Sequence, residues 1–219
     1  DPDSGIWVGV SGSNSFGGQL FFYDPDSDHV TPRGNASGQS PSDGNPAHLQ
    51  AQKKIHSRIR QAADGHFYFT TMDETGENWK ENRLPKYGGN LWRINQQQGA
   101  WEHILATPEA FIALDTTGRY VYALGYWNHV LYQYDTQTGN HRRVVIGADC
   151  GHVSRNFFVD LREHAYVPRV RKASPMEDCK AENTRVTLAE ISTTMENIAD
   201  HPLPEYLDNG SPKNSEGIT

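Results

Sequence analysis

The chain has 219 residues, 36% of them apolar, and a formal net charge of −7, with 20 lysines and arginines dispersed among 27 acidic residues. A mean hydropathy of −0.73 excludes a deep continuous core, and the scattered basic residues exclude a sequence-independent nucleic-acid surface. No apolar run reaches the roughly 18 residues of a bilayer-spanning helix, so a membrane is not an expected partner.

Aromatic residues nevertheless reach 11% and return at regular intervals, as several small sheets, each covered by a few large side chains, would require. From the N-terminus, residues 5–12 alternate as a strand, and Gln19-Leu-Phe-Phe-Tyr-Asp24 follows as a second, closed by a turn at residues 25–29. Residues 33–55 are rich in Gly, Ser, Asn and Pro and read as a long connection. A second run takes residues 57–63, the turn Asp64-Gly65, residues 66–71, a long connection over 72–89, then Asn90-Leu-Trp-Arg-Ile-Asn95 and a turn at 96–99. The third run is residues 111–116, Thr117-Gly118, residues 120–127, Val130-Leu-Tyr-Gln-Tyr-Asp135 and a turn at 136–140. The fourth is residues 154–160, Arg162-Glu163, residues 164–170, a connection over 171–183, residues 186–192 and a turn at 193–197.

The same order of strands restarts four times at spacings of about 40 to 70 residues, which points to radially repeated four-stranded units rather than a sandwich. The stretch Tyr-Asp-Thr-Gln-Thr-Gly at residues 134–139 resembles the third-strand turn of quinoprotein-type and Trp-Asp-type repeats, and nearly the whole chain resembles the β-propeller superfamily. The resemblance implies an all-β fold of about four four-stranded antiparallel blades, spanning residues 5–34, 55–106, 109–147 and 152–203 as one partial propeller domain. The first blade lacks its innermost strand and residues 204–219 lead toward a further blade. A parent ring of six to eight blades is expected, completed by a missing segment or a second chain.

Alternate strands run up and down, so the short turns leave one face and the long connections at 33–55, 72–89 and 171–183 leave the other, where binding residues usually sit. Two innermost strands open alike on that long-loop face, with His56-Ser57-Arg58 and His152-Val153-Ser154-Arg155. An arginine fork suits a carboxylate or sulfate and an imidazole titrates near neutrality. His56, Arg58, His152 and Arg155 are therefore candidate catalytic residues, with Tyr126 as a candidate acid. Glu109, Trp79, Trp127 and Arg169 are candidate ligand contacts. The alternative for the His and Arg pairs is strand capping and carbonyl satisfaction, and for the aromatics, plugging gaps between blades.

No His-Glu-x-x-His, Cys-x-x-Cys, acidic calcium loop, Gly-x-Ser-x-Gly or phosphate cradle occurs, so no cofactor is expected. A divalent metal at His56 and His152 is a secondary expectation, and a quinone cofactor lacks its tryptophan-docking repeat. Cys150 and Cys179 allow one disulfide without requiring it. Some polysaccharide lyases of similar fold use His, Tyr and Arg near the channel mouth. The expected function is thus binding of a carbohydrate or polar anionic small molecule by an extracellular or periplasmic propeller, with lyase chemistry as one form of it. A noncatalytic protein-interaction module is the alternative.

Overall fold

Alternation along the chain becomes strand wherever a half-buried pleat can use it. The computed structural model describes residues 5–11, 18–36, 47, 51–73, 75–76, 78, 81, 83–95, 100–126, 129–149, 156–176, 183–203, 207–208 and 211–212. Every named element is a β-strand. Blade 1 is a three-stranded sheet of β1 (Ile6–Val10), β2 (Gln19–Asp24) and β3 (His29–Asn35). Blade 2 has β4 (Arg60–Gln61), β5 (Phe67–Met72), β6 (Gly89–Asn95) and β7 (Ala100–Thr107). Blade 3 has β8 (Phe111–Asp115), β9 (Tyr120–Gly125), β10 (Val130–Asp135) and β11 (His141–Val145). Blade 4 has β12 (Phe158–Val159), β13 (Ala165–Lys172), β14 (Thr184–Ile191) and β15 (Asn197–Pro202). A short ladder of β16 (Leu207–Asp208) and β17 (Ser211–Pro212) follows.

Each blade keeps its strands in chain order, the arrangement expected of repeated hairpins. The innermost strands of blades 2 and 4 are two residues long, shorter than the alternation predicts. In blade 2 the reason is visible. Upstream of β4 the segment still runs along β5, but through the Lys54 carbonyl, which accepts from Met72 N–H at 3.0 Å, and through Ser57 Oγ, which accepts from Thr70 N–H at 2.8 Å.

The chain forms two compact units, Asp1–Leu114 and Asp115–Thr219. In the first, Leu20 of blade 1 packs with Ile55, Phe69, Trp92, Ile94 and Trp101, while Trp7 and Phe67 lean on the same cluster. Edge contacts dominate, with Phe69 at 4.9 Å and Trp92 at 5.3 Å from the Trp101 ring centre, the geometry aromatic quadrupoles prefer. Gly9 lets β1 approach closely, since a Cβ there would lie 2.5 Å from Ile55 Cγ2. Trp101 Nε1 donates to the Arg33 carbonyl at 2.6 Å, joining the outer strands of the two blades.

In the second unit, blades 3 and 4 are joined by hydrogen bonds as much as by packing. Thr117 Oγ1 donates to the Asp160 carbonyl at 2.7 Å, Val159 N–H to Asp115 Oδ2 at 3.0 Å, and Tyr120 N–H to Glu163 Oε1 at 2.8 Å. The Tyr-Asp-Thr-Gln-Thr-Gly turn is structural: Asp135 accepts from Gln137 N–H at 3.0 Å and Thr138 Oγ1 at 2.8 Å. It is also paired with the Arg119 guanidinium, which holds its carboxyl well below the usual carboxylate range. Asp24 repeats the turn in blade 1, accepting from Asp26 N–H at 3.0 Å and Ser27 Oγ at 2.7 Å.

Candidate functional site

Unit 1 builds its candidate site where segment 52–58 crosses the end of β5. Gln52 is fully buried there; its Oε1 accepts from Thr71 Oγ1 at 2.9 Å and its Nε2 donates to the Gly88 carbonyl at 3.1 Å. Trp92 Nε1 donates to Thr71 Oγ1 at 2.8 Å, so a chain of four polar groups is satisfied inside the sheet contact. Asp73 accepts from Thr75 N–H at 2.8 Å and Tyr87 N–H at 3.3 Å, fixing both ends of the β5–β6 connection. Gly88 and Gly89 are required by close approach: at Gly88 φ is +60° and a Cβ would sit 1.9 Å from the Thr107 carbonyl oxygen.

On this frame Ser57 is buried and points at Thr70, so period-two alternation turns His56 and Arg58 outward, and both are exposed. The Arg58 guanidinium makes no hydrogen bond or ion pair among the described residues. Glu109 is buried at the start of β8, where its carbonyl accepts from Thr107 Oγ1 at 2.9 Å. His152, Arg155, Trp79 and Trp127, with Cys150 and Cys179, lie outside the described residues.

In unit 2, Tyr126 follows the end of β9, half-buried. Arg169, a candidate ligand contact, is engaged inside the blade contact. Its Nε donates to the Ile146 carbonyl at 2.9 Å and its Nη1 to both Asp200 oxygens at 2.8 and 2.7 Å, leaving it to hold blade 4 onto the end of β11.

Two further groups carry no signal in local spacing. His129 is fully buried with φ of +46° in the β9–β10 connection, and its Nδ1 lies 2.8 Å from the Pro168 carbonyl. Among the described residues, the other non-glycine residues with positive φ, Asp28, Glu163 and Met195, sit in hairpin turns where that conformation is ordinary. The second group surrounds Glu190 on blade 4. Its Oε1 faces His164 Nδ1 at 2.9 Å and Arg162 Nη2 at 3.1 Å, and its Oε2 faces His201 Nε2 at 2.8 Å. The bonds from His164 and His201 hold its pKa down at about 2. Nothing in the spacing of His164 and His201 brings them to one carboxylate; only the register of β13, β14 and β15 does so. Among the described residues no group of three or more His, Cys, Asp or Glu could hold a metal ion, and no helix is long and apolar enough to cross a membrane.

No family model matches the chain, and no curated protein matches it. Solved structures do. A luciferin-regenerating enzyme superimposes with a TM-score of 0.53 at 11% identity over 93% of this chain and 60% of its own. A prolyl endopeptidase gives 0.52 at 9% identity over 93% of this chain and 27% of its own. Regucalcin, a calcium-binding protein from Agrobacterium tumefaciens strain C58, gives 0.47 at 14% identity over 90% and 61%. The chain thus spans about three fifths of the luciferin-regenerating enzyme. At these identities the likeness shows the fold alone: the chain has the all-β propeller fold built of antiparallel blades, three of them four-stranded among the described residues.

Proposed function

We propose that this propeller binds a polar anionic small molecule of the sugar-acid class at the face where segment 52–58 meets the β5–β6 connection, through Arg58 and His56. The observation that carries the reading is the Arg58 guanidinium, exposed and without a partner among the described residues, beside an exposed His56 on a backbone anchored by Ser57. A guanidinium forks onto a carboxylate with two parallel bonds, and such charge-assisted bonds are about twice as strong as neutral ones. Glu109, Trp79 and Trp127 remain further proposed contacts. In unit 2 the same reading gives His152 and Arg155 the corresponding roles, with Tyr126 as an acid.

On a polyuronate this chemistry becomes β-elimination. Arg58 neutralises the carboxylate and so acidifies the neighbouring C5 proton, His56 removes that proton, and the C4–O bond breaks as a C4–C5 double bond forms. The departing oxygen takes a proton from an acid. A polymeric substrate of this kind would place the protein outside the cytoplasm.

The test is calorimetric titration with uronate and sulfated oligosaccharides, alongside absorbance of an unsaturated product. Arg58→Ala weakens binding by about tenfold or more, the worth of a charge-assisted bond. His56→Ala abolishes product absorbance while leaving binding largely intact. Equal affinity of wild type and Arg58→Ala for every anion in the panel would sink the binding reading. Binding without product would remove only the elimination step.

A further inference from the structure

Three stretches of unit 1 meet at the long-loop end of blade 2 and are tied together there by hydrogen bonds. The Gln52 carbonyl accepts from Gly18 N–H at 2.7 Å, and its side-chain Nε2 donates to the Gly88 carbonyl at 3.1 Å. Asp73 N–H donates to the same Gly88 carbonyl at 2.8 Å, and Lys86 N–H to the Thr75 carbonyl at 3.0 Å. The Asp73 carboxylate accepts from Thr75 and Tyr87 N–H. Segment 52–54, the end of β5 and the base of the β5–β6 connection thus form one frame whose backbone is ordered before any ligand arrives.

The frame presents cations whose charge no carboxylate among the described residues cancels. Lys53 follows the buried Gln52 and is exposed. Lys86, two residues before Gly88, is exposed as well, with its ammonium 4.9 Å from the centre of the Tyr87 ring. An aromatic face holds such a charge in place without neutralising it. Neither lysine makes an ion pair among the described residues, and the same is true of the exposed Arg58 further along the segment. The nearby carboxylates are turned elsewhere: Asp73 is buried against backbone N–H groups, Glu81 lies 3.4 Å from Arg83, and Glu109 is buried at the start of β8.

Spacing decides what can use these charges. Lys53 and Arg58 are five residues apart, a reach of at most about 18 Å along extended chain, and Lys86 continues the row on the far side of Gln52. A single acid sugar brings one carboxylate and meets one cation. A chain of acid sugars brings an anionic group to each.

We propose that the ligand of this site is a chain of acid sugars rather than a single one, with Arg58, Lys53 and Lys86 each receiving a separate anionic group. The chain runs along segment 52–58 and onto the base of the β5–β6 connection. The inference rests on Arg58 being the carboxylate contact and adds two lysines that the elimination chemistry does not itself require. Each added contact is charge-assisted and is made on an ordered frame, so little of its gain is lost to ordering a loop. Because the lysines are exposed, the gain weakens with salt.

Calorimetric titration of the full chain with galacturonic acid and a ladder of its oligomers tests this. The wild type binds the longest oligomer at least about tenfold more tightly than the monomer, the worth of one charge-assisted bond. Lys53→Gln and Lys86→Gln each reduce that gain and the double variant removes it, so their loss grows with oligomer length, whereas Arg58→Ala weakens every length. Circular dichroism checks that each variant is folded. A monomer bound as tightly as the longest oligomer overturns the proposal and leaves the Arg58 contact standing. A gain with length that survives the double variant also overturns it. Failure of every length to bind removes the Arg58 contact and the proposal together. A single-stranded oligonucleotide bound as tightly as the longest oligomer overturns the assignment to acid sugars, marking a patch that accepts any polyanion.

Discussion

Ser57 illustrates how much a single hydroxyl decides. Its Oγ stands in for a ladder carbonyl toward the fully buried Thr70 N–H, so Ser57→Ala strands a buried donor at a cost of about 1–3 kcal/mol. Chemical denaturation reads that loss, and titration with the sugar-acid panel reads a weaker Arg58 contact as the segment loosens. Retained stability would show that water replaces the hydroxyl. Gly88 sets a stricter limit, because its φ of +60° and the Thr107 carbonyl 1.9 Å from any Cβ leave no room for alanine. Gly88→Ala therefore destabilises by more than the roughly 1–2 kcal/mol of the left-handed conformation alone, measurable as a lowered urea midpoint. Gly88-Gly89 was legible as a pair of special backbone positions before a third strand. The clash that makes Gly88 necessary was not, because it comes from the end of another strand.

At the scale of elements, Tyr68, Tyr122 and Tyr166 occupy the same register place in blades 2, 3 and 4, opposite Arg93, Gln133 and Glu190. Alternation predicts that these tyrosines share a face, but their bonds differ because the opposing residue differs. Burial drives the Tyr68 phenol far above its usual range, helped by its bond to Asp64, while burial brings Tyr122 to about 12. A phenol whose folded pKa is raised contributes stability that is full below the unfolded value near 10. That contribution is lost as pH rises through the folded value. Tyr122→Phe removes the Glu163 and Gln133 bonds and lowers thermal stability at neutral pH. It also reduces the fall in midpoint between about pH 10 and 12, which a pH series of melts detects. An alkaline limb identical to wild type would show that Tyr122 is not the group titrating.

At the scale of the whole molecule, Glu190 of blade 4 joins Asp135 of blade 3 in shaping the acid limb of stability. Glu190 is held near pKa 2 by His164 and His201, with Arg162, Asp160 and Tyr166 beside it. Its folded pKa is depressed, so its contribution is present above the unfolded value near 4.3 and disappears as pH falls toward about 2. Glu190→Gln flattens the loss of stability between those limits, and acid titration followed by tryptophan fluorescence and circular dichroism checks it. Four of the five tryptophans fall in the first unit and Trp127 in the second, so in a Trp127→Phe background fluorescence reports the first unit alone while circular dichroism reports both. A Glu190 effect seen by circular dichroism alone marks unfolding of unit 2 by itself, the independence that two compact units predict.

The sequence by itself determined the repeat: period-two runs, Asx turns at Asp24 and Asp135 and hairpin glycines each act through neighbours a few residues away, so blade order followed without coordinates. It also placed His56 and Arg58 on one side of Ser57, because side chains alternate along any extended segment. Only the tertiary structure decided which polar groups are occupied. Arg169 became a clamp on Asp200 and Ile146, while His164 and His201 converged on Glu190. Gln52 acquired partners 19 and 36 residues away. Such bonds depend on strand register and on one sheet approaching the next, and neither quantity is encoded in local spacing.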